Sequence, residues 1–538
     1  MCCGPTQLIK PLPLELWIHA LVRAAARCSG PRVRAQRRVT LICVAPQVRH
    51  EPRGVEGGKL LGYKDAFVEC PSALVGASLS CAPRPLPCDP LRRERAGLSC
   101  LHAGLETVLG GATGIMDHLW VRNIDDVAAA VAAYRSLGIR CWLALMLSDT
   151  AGDNYANYTA CAPNAADRNS RAGGCGCDGM GPGGAFRLQP AGYDPAKTDA
   201  MAALWEEAIR LYHRPEEGIN IAIGPTTCYS ASRELITRGV ALRKKHGLCG
   251  HIHLLETQSQ KLQSRQYFGK DGAVGMLRDT GFLSLPGTSL AHAVWLDDDE
   301  IAEVAKAGAS IVHNPASNLR LGSGVAPLRA YRAAGVNVAL GADGACSSDG
   351  QDMTEVMKLT CILHTLSTRE YRDWFEPRDA LRMATEGGYA AVNLKGKGGI
   401  VAEGALADLT LWDLTALSLL PRADPIGTLV LGRPSAGCGG SALHSVWVGG
   451  RRLLAAGEAI TCDVAKLRSD LAAVYPMLRS PAATDPRRDP YTASAEVEWR
   501  AAAGLDGTTR AAAGGAEAEF LTTGYPQHRT LDDRTTLP

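Results

Sequence analysis

The sequence predicts an α/β fold: a (β/α)8 barrel of the TIM type that is one strand short, with a small β-domain attached. Two observations predict it. From about residue 99, short apolar runs ending in a polar residue alternate seven times with Ala-, Leu- and charge-rich stretches of helical period. After Glu386 the pattern becomes a two-residue alternation broken by glycine turns. Parallel strands need a crossover between them, and seven or eight strand-then-helix units in succession favour a barrel over an open sheet.

The seven units read in order as follows. GIMDH (114 to 118) precedes the helix DVAAAVAAYRSLG, and IRCWLAL (139 to 145) precedes a Gly-, Asn- and Cys-rich loop from Ser148 to about Asp194 and then the helix AALWEEAIRLYH. INIAIG (219 to 224) leads into SRELITRGVALRKKHG, and GHIHLLE (250 to 256) is followed by TSLAHAVWL (288 to 296). DDDEIAEVAKAG leads into ASIVHN (309 to 314), and LRAYRAAG into VNVALGAD (336 to 343). Downstream, GGIVAEGALADLTLWDL and HSVWVGGRRLLAAGEAIT alternate as antiparallel strands do, which predicts the small β-domain over 386–465. Residues 466–538 read as a helical or disordered tail without apolar periodicity.

The chain has 538 residues, 46% of them hydrophobic and 21% charged, with 57 basic against 55 acidic side chains. That describes a globular protein with a sizeable core and gives no electrostatic case for nucleic acid or an anionic membrane. No apolar run approaches the roughly 18 residues that span a bilayer. The first hundred residues differ from the rest: they carry a net charge of +8, with 8 of the 18 Cys and 11 of the 30 Pro. Neither an export signal nor regular Cys spacing accompanies them, so the expectation is a cytoplasmic protein with reduced thiols. Residues 27–98 scatter Arg, Pro and Cys without either structural period and read as irregular, apart from the strand-like run VTLICVA (39 to 45).

In a barrel, the C-terminal ends of the strands converge on one rim, so polar residues ending buried strands are the candidates for chemistry. His251 and His253 share a strand face, with Glu256 where the chain leaves the strand. His292, His313, Asp343, Asp117 and His118 end other strands. Imidazole and carboxylate from separate strand ends make a nitrogen/oxygen site for a divalent metal such as Zn²⁺. Cys161, Cys175 and Cys177 lack the paired spacing of a zinc module and read as part of a flexible loop.

HIHLLET, followed by SLAHAVWLDDDEIAEVAKAGASIVHNPASNLRLGSGVAPLRAYRAAGVNVALGADGACSSDGQDM, resembles the metal-dependent amidohydrolase superfamily. The branch it is most similar to holds cytosine deaminase-like enzymes, S-adenosylhomocysteine/methylthioadenosine deaminases, guanine and 8-oxoguanine deaminases and triazine hydrolases. The resemblance runs from about Leu98 to Val464, so it sets the barrel at 99–385, and GGIVAEGALADLTLWDL is similar to the family's turn into its β-sandwich. It implies one divalent metal, Zn²⁺ or Fe²⁺, with His253 and Asp343 as ligands. Glu256 is implied as the proton shuttle between water and leaving nitrogen, His292 as the group that orients water or substrate, and Asp343 as a base. His118, Ser317 and Asn318 are implied as substrate-binding residues, the substrate as a small heterocycle, and a homodimer as the usual assembly.

The family also carries a His-x-His at the end of its first barrel strand, supplying two metal ligands. Here the only His-x-His is 251–253, which its continuation LLET assigns to the fifth family strand. LPLELWIHAL (12 to 21) resembles the segment that follows strand one, so residues 1–26 read as a remnant after that strand. The resemblance therefore implies hydrolysis of a C–N bond other than a peptide bond, by deamination of a purine, pyrimidine or triazine-like ring, with weak metal binding and impaired turnover. A ligand-binding pseudoenzyme and a triazine-dechlorinating hydrolase are the alternatives.

Overall fold

The computed structural model describes residues 90–150 and 194–478, apart from 349, 422, 433 and 436–439. The readings made for residues 1–26, for VTLICVA, for the Cys-rich loop at 151–193 and for the tail beyond 478 lie outside the described residues.

Seven strands form one parallel sheet in chain order: β1 (Gly114–Trp120), β2 (Arg140–Leu147), β3 (Ile219–Pro225), β4 (Gly250–Leu254), β5 (Thr288–His292), β6 (Ser310–His313) and β7 (Asn337–Leu340). Each lies within the run the sequence marked or overlaps it by a few residues. The sheet curls. Adjacent strands are about 4.8 Å apart, so a flat sheet would hold β1 and β4 roughly 14 Å from each other. Instead the rings of His118 on β1 and His251 on β4 have centroids 5.0 Å apart. Strand parity then sorts the side chains. Met116, Ala144, Ala222, Val312 and Ala339 form an apolar cluster on the concave side, where Tyr389 and Val392 join them. Ile115, Leu143, Ile221, Ile252 and Ile311, of the opposite parity, belong to the main core under the helices.

The helix α1 (Pro90–Leu109) starts inside the segment read as irregular, so residues 90 to 98 are helical. It packs on α2 (Ile124–Leu137). At Gly104 a Cβ would come within 2.7 Å of Leu137, so the glycine sets how closely the two helices meet. Asn123 caps α2 by accepting from the amides of Asp125 and Asp126, and the long helix before β3, α3 (Pro195–Tyr212), is capped in the same way by Asp194.

Past the barrel, β8 (Leu409–Trp412), β9 (Leu443–Val448), β10 (Arg451–Ala455) and β11 (Glu458–Ala459) make an antiparallel sheet in the order β11-β10-β9-β8. This is the small β-domain the alternation predicted, present among the described residues as one sheet. Asp408 ties it to the barrel: its carboxylate accepts from Arg140 Nε at 2.7 Å and Nη2 at 2.9 Å, from the Gly449 amide at 2.6 Å and from the Tyr389 hydroxyl. Among the described residues no helix is long and apolar enough to cross a membrane. Cys100, Cys141, Cys228, Cys249, Cys361 and Cys462 are unbridged, and burial pushes Cys228 and Cys361 up to about 12 and Cys249 to about 11, so these three stay thiols at neutral pH.

Candidate active site at the strand ends

Four imidazoles meet where β1, β4 and β5 end. His118 stacks on His253 with centroids 4.9 Å apart, and His253 stacks on His292 at 5.4 Å. All are buried. Hydrogen bonds orient the rings. His253 Nδ1–H donates to the Thr226 carbonyl at 2.9 Å, and His118 Nε2–H to the Gly224 carbonyl at 3.2 Å. His251 Nδ1 lies 2.7 Å from Ser289 Oγ, which donates to the Gly250 carbonyl. His251 thereby sits one layer deeper, in line with its place two residues before His253.

His292 reaches this stack against its strand parity. Its register partner is Leu254, a core position facing the helices. The backbone turns left-handed at His292 (φ 66°) and again at Ala293 (φ 48°), which ends β5 and frees the ring from the strand's alternation. Leu255 (φ 45°), beside Glu256, and Asp343 (φ 65°) adopt the same unfavourable region. Backbone strain of this kind gathers at functional sites and persists where the surroundings over-determine it.

Glu256 is buried, and the Ser323 hydroxyl donates to its Oε1 at 3.3 Å. Asp343 accepts from the Gly344 amide at 2.6 Å on Oδ1 and from the Ser317 hydroxyl on Oδ2, and Gln351 Nε2 donates to its backbone carbonyl at 2.8 Å. Asn318 Oδ1 lies 2.8 Å from His292 Nδ1. The two residues expected in the substrate pocket, Ser317 and Asn318, thus contact Asp343 and His292 directly.

Two strand-end candidates face the other way. Asp117 accepts from the Tyr134 hydroxyl of α2 at 2.7 Å, and His313 lies against His364 beneath the helix layer. Sequence reading also missed Thr226, Gly224, Ser323 and Gln351. Ser323 was visible only as part of the NPASNLRLGSG run, and a backbone carbonyl such as that of Thr226 leaves no mark on residue identity.

The donors suit a divalent ion in kind. A histidine ligand normally gives its second nitrogen to a carbonyl or carboxylate, as His253 does to Thr226, and Asp343 offers a carboxylate fixed by two donors. They fall short in number, since a catalytic zinc takes three protein ligands and no group of three His, Cys, Asp or Glu among the described residues is arranged to hold one ion.

The amidohydrolase family profile matches residues 98–452. A 5-methylthioadenosine/S-adenosylhomocysteine deaminase of Thermococcus onnurineus is 36% identical over 241 residues, which cover 44% of this chain and 55% of that one. A second deaminase of the same description, from Archaeoglobus fulgidus, is 30% identical over 376 residues, covering 68% and 86%. For the first of these and others like it, the chain spans about half the length of the curated relatives it matches. The zinc-complexed atrazine chlorohydrolase of Arthrobacter aurescens shares the fold at 23% identity, with a TM-score of 0.60 over 77% of this chain and 87% of its own. A family match that begins within α1 and runs through the rim cluster into β10 leaves one assignment: the chain belongs to the amidohydrolase family.

Proposed function

We propose that this protein binds an adenine-type heterocycle at the strand-end rim and hydrolyses the bond to its exocyclic amino group, slowly and with weak metal affinity. The observation that carries the reading is the stack of His118, His253 and His292 at the strand ends, with Asn318 against His292 and the adjacent Ser317 on Asp343. The relatives named as deaminases of 5-methylthioadenosine and S-adenosylhomocysteine support the substrate class.

The overall change adds water across a ring C–N bond and releases ammonia, leaving a ring carbonyl. If a divalent ion such as Zn²⁺ or Fe²⁺ binds, His253 and Asp343 would be the residues to hold it, and the chemistry it would supply is acidification of water. Glu256, which accepts from Ser323 on one oxygen, would take a proton and return it to the departing nitrogen. His292 orients the attacked ring through its imidazole, and Asp343 accepts the second proton of the water, which ends on the ring nitrogen as the ring carbonyl forms.

The test is ammonia release from 5′-methylthioadenosine by the full chain, with Zn²⁺ or Fe²⁺ added and after chelation. Slow release that rises with metal and vanishes in Glu256→Gln is the expected result. Release of chloride from a chlorinated triazine, without ammonia from the nucleoside, would replace this reading with dehalogenation. Nucleoside binding that survives chelation with no ammonia from any variant would make the protein a binding protein.

A further inference from the structure

Asn318 is 1% exposed and divides its amide unevenly: Oδ1 lies 2.8 Å from His292 Nδ1, while Nδ2 has no hydrogen-bond partner. Asn314 Nδ2 also approaches His292 Nδ1, at 3.4 Å. A neutral imidazole nitrogen either donates or accepts, so Nδ1 serves one of these neighbours. The shorter contact is to an oxygen, which can only accept.

We propose that Asn318 is a positioning residue that fixes His292 as the Nδ1–H tautomer, and that its unspent Nδ2–H₂ reads a hydrogen-bond acceptor on the bound ring. The first half makes Nε2 the lone-pair nitrogen of His292, so this ring accepts a proton or hydrogen bond and does not donate one. The second half follows from the cost of a buried amide without a partner, which native proteins rarely bear except where a ligand supplies one. Ser317 links the same helix turn to Asp343, so the backbone that presents Asn318 is held at both ends of the cluster. A ring nitrogen with a free lone pair, as in an adenine-type base, satisfies Asn318. A ring N–H at that edge opposes two donors and is rejected. This half rests on the reading of the rim as a heterocycle site.

The experiment uses the full chain with ¹⁵N-labelled histidine, His292 being assigned by its loss in His292→Gln. In ligand-free protein His292 Nδ1 is expected to resonate as a pyrrole-type nitrogen and Nε2 as pyridine-type. Asn318→Asp keeps the acceptor and the tautomer, whereas Asn318→Leu removes both and mixes the tautomers. A pyridine-type Nδ1 in the unsubstituted protein overturns the tautomer assignment. Binding of 5′-methylthioadenosine and its 1-deaza, 3-deaza and 7-deaza analogues is then compared by calorimetry. One analogue is expected to bind about tenfold more weakly, the worth of a single hydrogen bond, and that difference is expected to disappear in Asn318→Asp. Equal binding of all four overturns the donor role alone. Failure of all four to bind overturns the donor role together with the nucleoside reading of the site, and leaves the tautomer result standing on the spectra.

Discussion

His313 Nε2 and His364 Nε2 lie 3.2 Å apart beneath the helix layer, so one buried ring donates to the other and both are neutral. Burial pushes His364 down to about 4. It pushes His313 well below the usual 6.5, with His364 and His292 adding smaller repulsion. In the unfolded chain both rings titrate near 6.5. Stability from keeping them neutral is therefore complete above that value and falls as the pH drops toward 4, because the unfolded state takes up the protons first. For His364 alone the loss is about 3 kcal/mol across that window. Urea unfolding at pH 7.5 and pH 5 should show a clearly lower midpoint at pH 5. His364→Gln, which keeps a polar partner for His313 and removes one titrating ring, should narrow the gap. An unchanged gap would mean the acid sensitivity comes from elsewhere.

Asp408 is fully buried and receives both nitrogens of the Arg140 fork, so barrel and small sheet share one charge pair. Removing one member leaves the other desolvated and unpaired, which costs about 3–5 kcal/mol, whereas replacing both with apolar groups of similar size costs much less. Asp408→Ala should therefore unfold at a markedly lower temperature than Asp408→Leu combined with Arg140→Met. If the double variant is the less stable of the two, the pair contributes by attraction and not by avoiding an orphaned charge.

How much of this was legible in the sequence depends on what each residue answers to. The seven parallel strands were legible because each buried run is short, apolar and set between helical repeats, and both the core and the concave cluster follow from its parity. The rim residues were legible as polar endings of those runs. Parity alone could not place His292, because the left-handed backbone at His292 and Ala293 cuts the expected strand at 292 instead of 296. Nor did strand-end position separate His118 from Asp117 or His313, which differ in which side of the sheet they face. Residues 90 to 98 were missed because arginines and a proline mask the helical period, and the helix gains its order by packing on α2. Thr226 acts through a backbone carbonyl that any residue could supply.

Gly224 is a side-chain requirement of the site. A Cβ there would come within 2.9 Å of the His118 ring and of the Leu145 carbonyl, and the latter cannot swing aside. Gly224→Ala should cost about 1–3 kcal/mol by overpacking and displace His118 from its stack on His253. Gly97→Ala is the matching control: its Cβ would meet only Ala129 at an ordinary 3.7 Å within α1, so a gain of up to about 1 kcal/mol is expected. Thermal unfolding ranks the two, and nucleoside affinity should fall only in Gly224→Ala. Equal affinity in both would remove His118 from the binding site.

Ser317 offers the most direct check on the metal reading. It is fully buried and its hydroxyl donates to Asp343 Oδ2, while the Gly344 amide holds Oδ1. A carboxylate that binds an ion is oriented by such partners, and losing one typically lowers metal affinity by about 10–100-fold. Ser317→Ala removes one oxygen atom and leaves the Asp343 carboxylate to rotate. Competition against a metal-binding dye should therefore show weaker Zn²⁺ binding in Ser317→Ala than in the parent, with thermal unfolding little changed. Asp343→Asn should lose more than Ser317→Ala, and His253→Gln as much as Asp343→Asn. If Asp343→Asn binds Zn²⁺ as the parent does, the ion sits elsewhere, and the Ser317 contact serves to hold the helix turn at 315 to 320 against the rim.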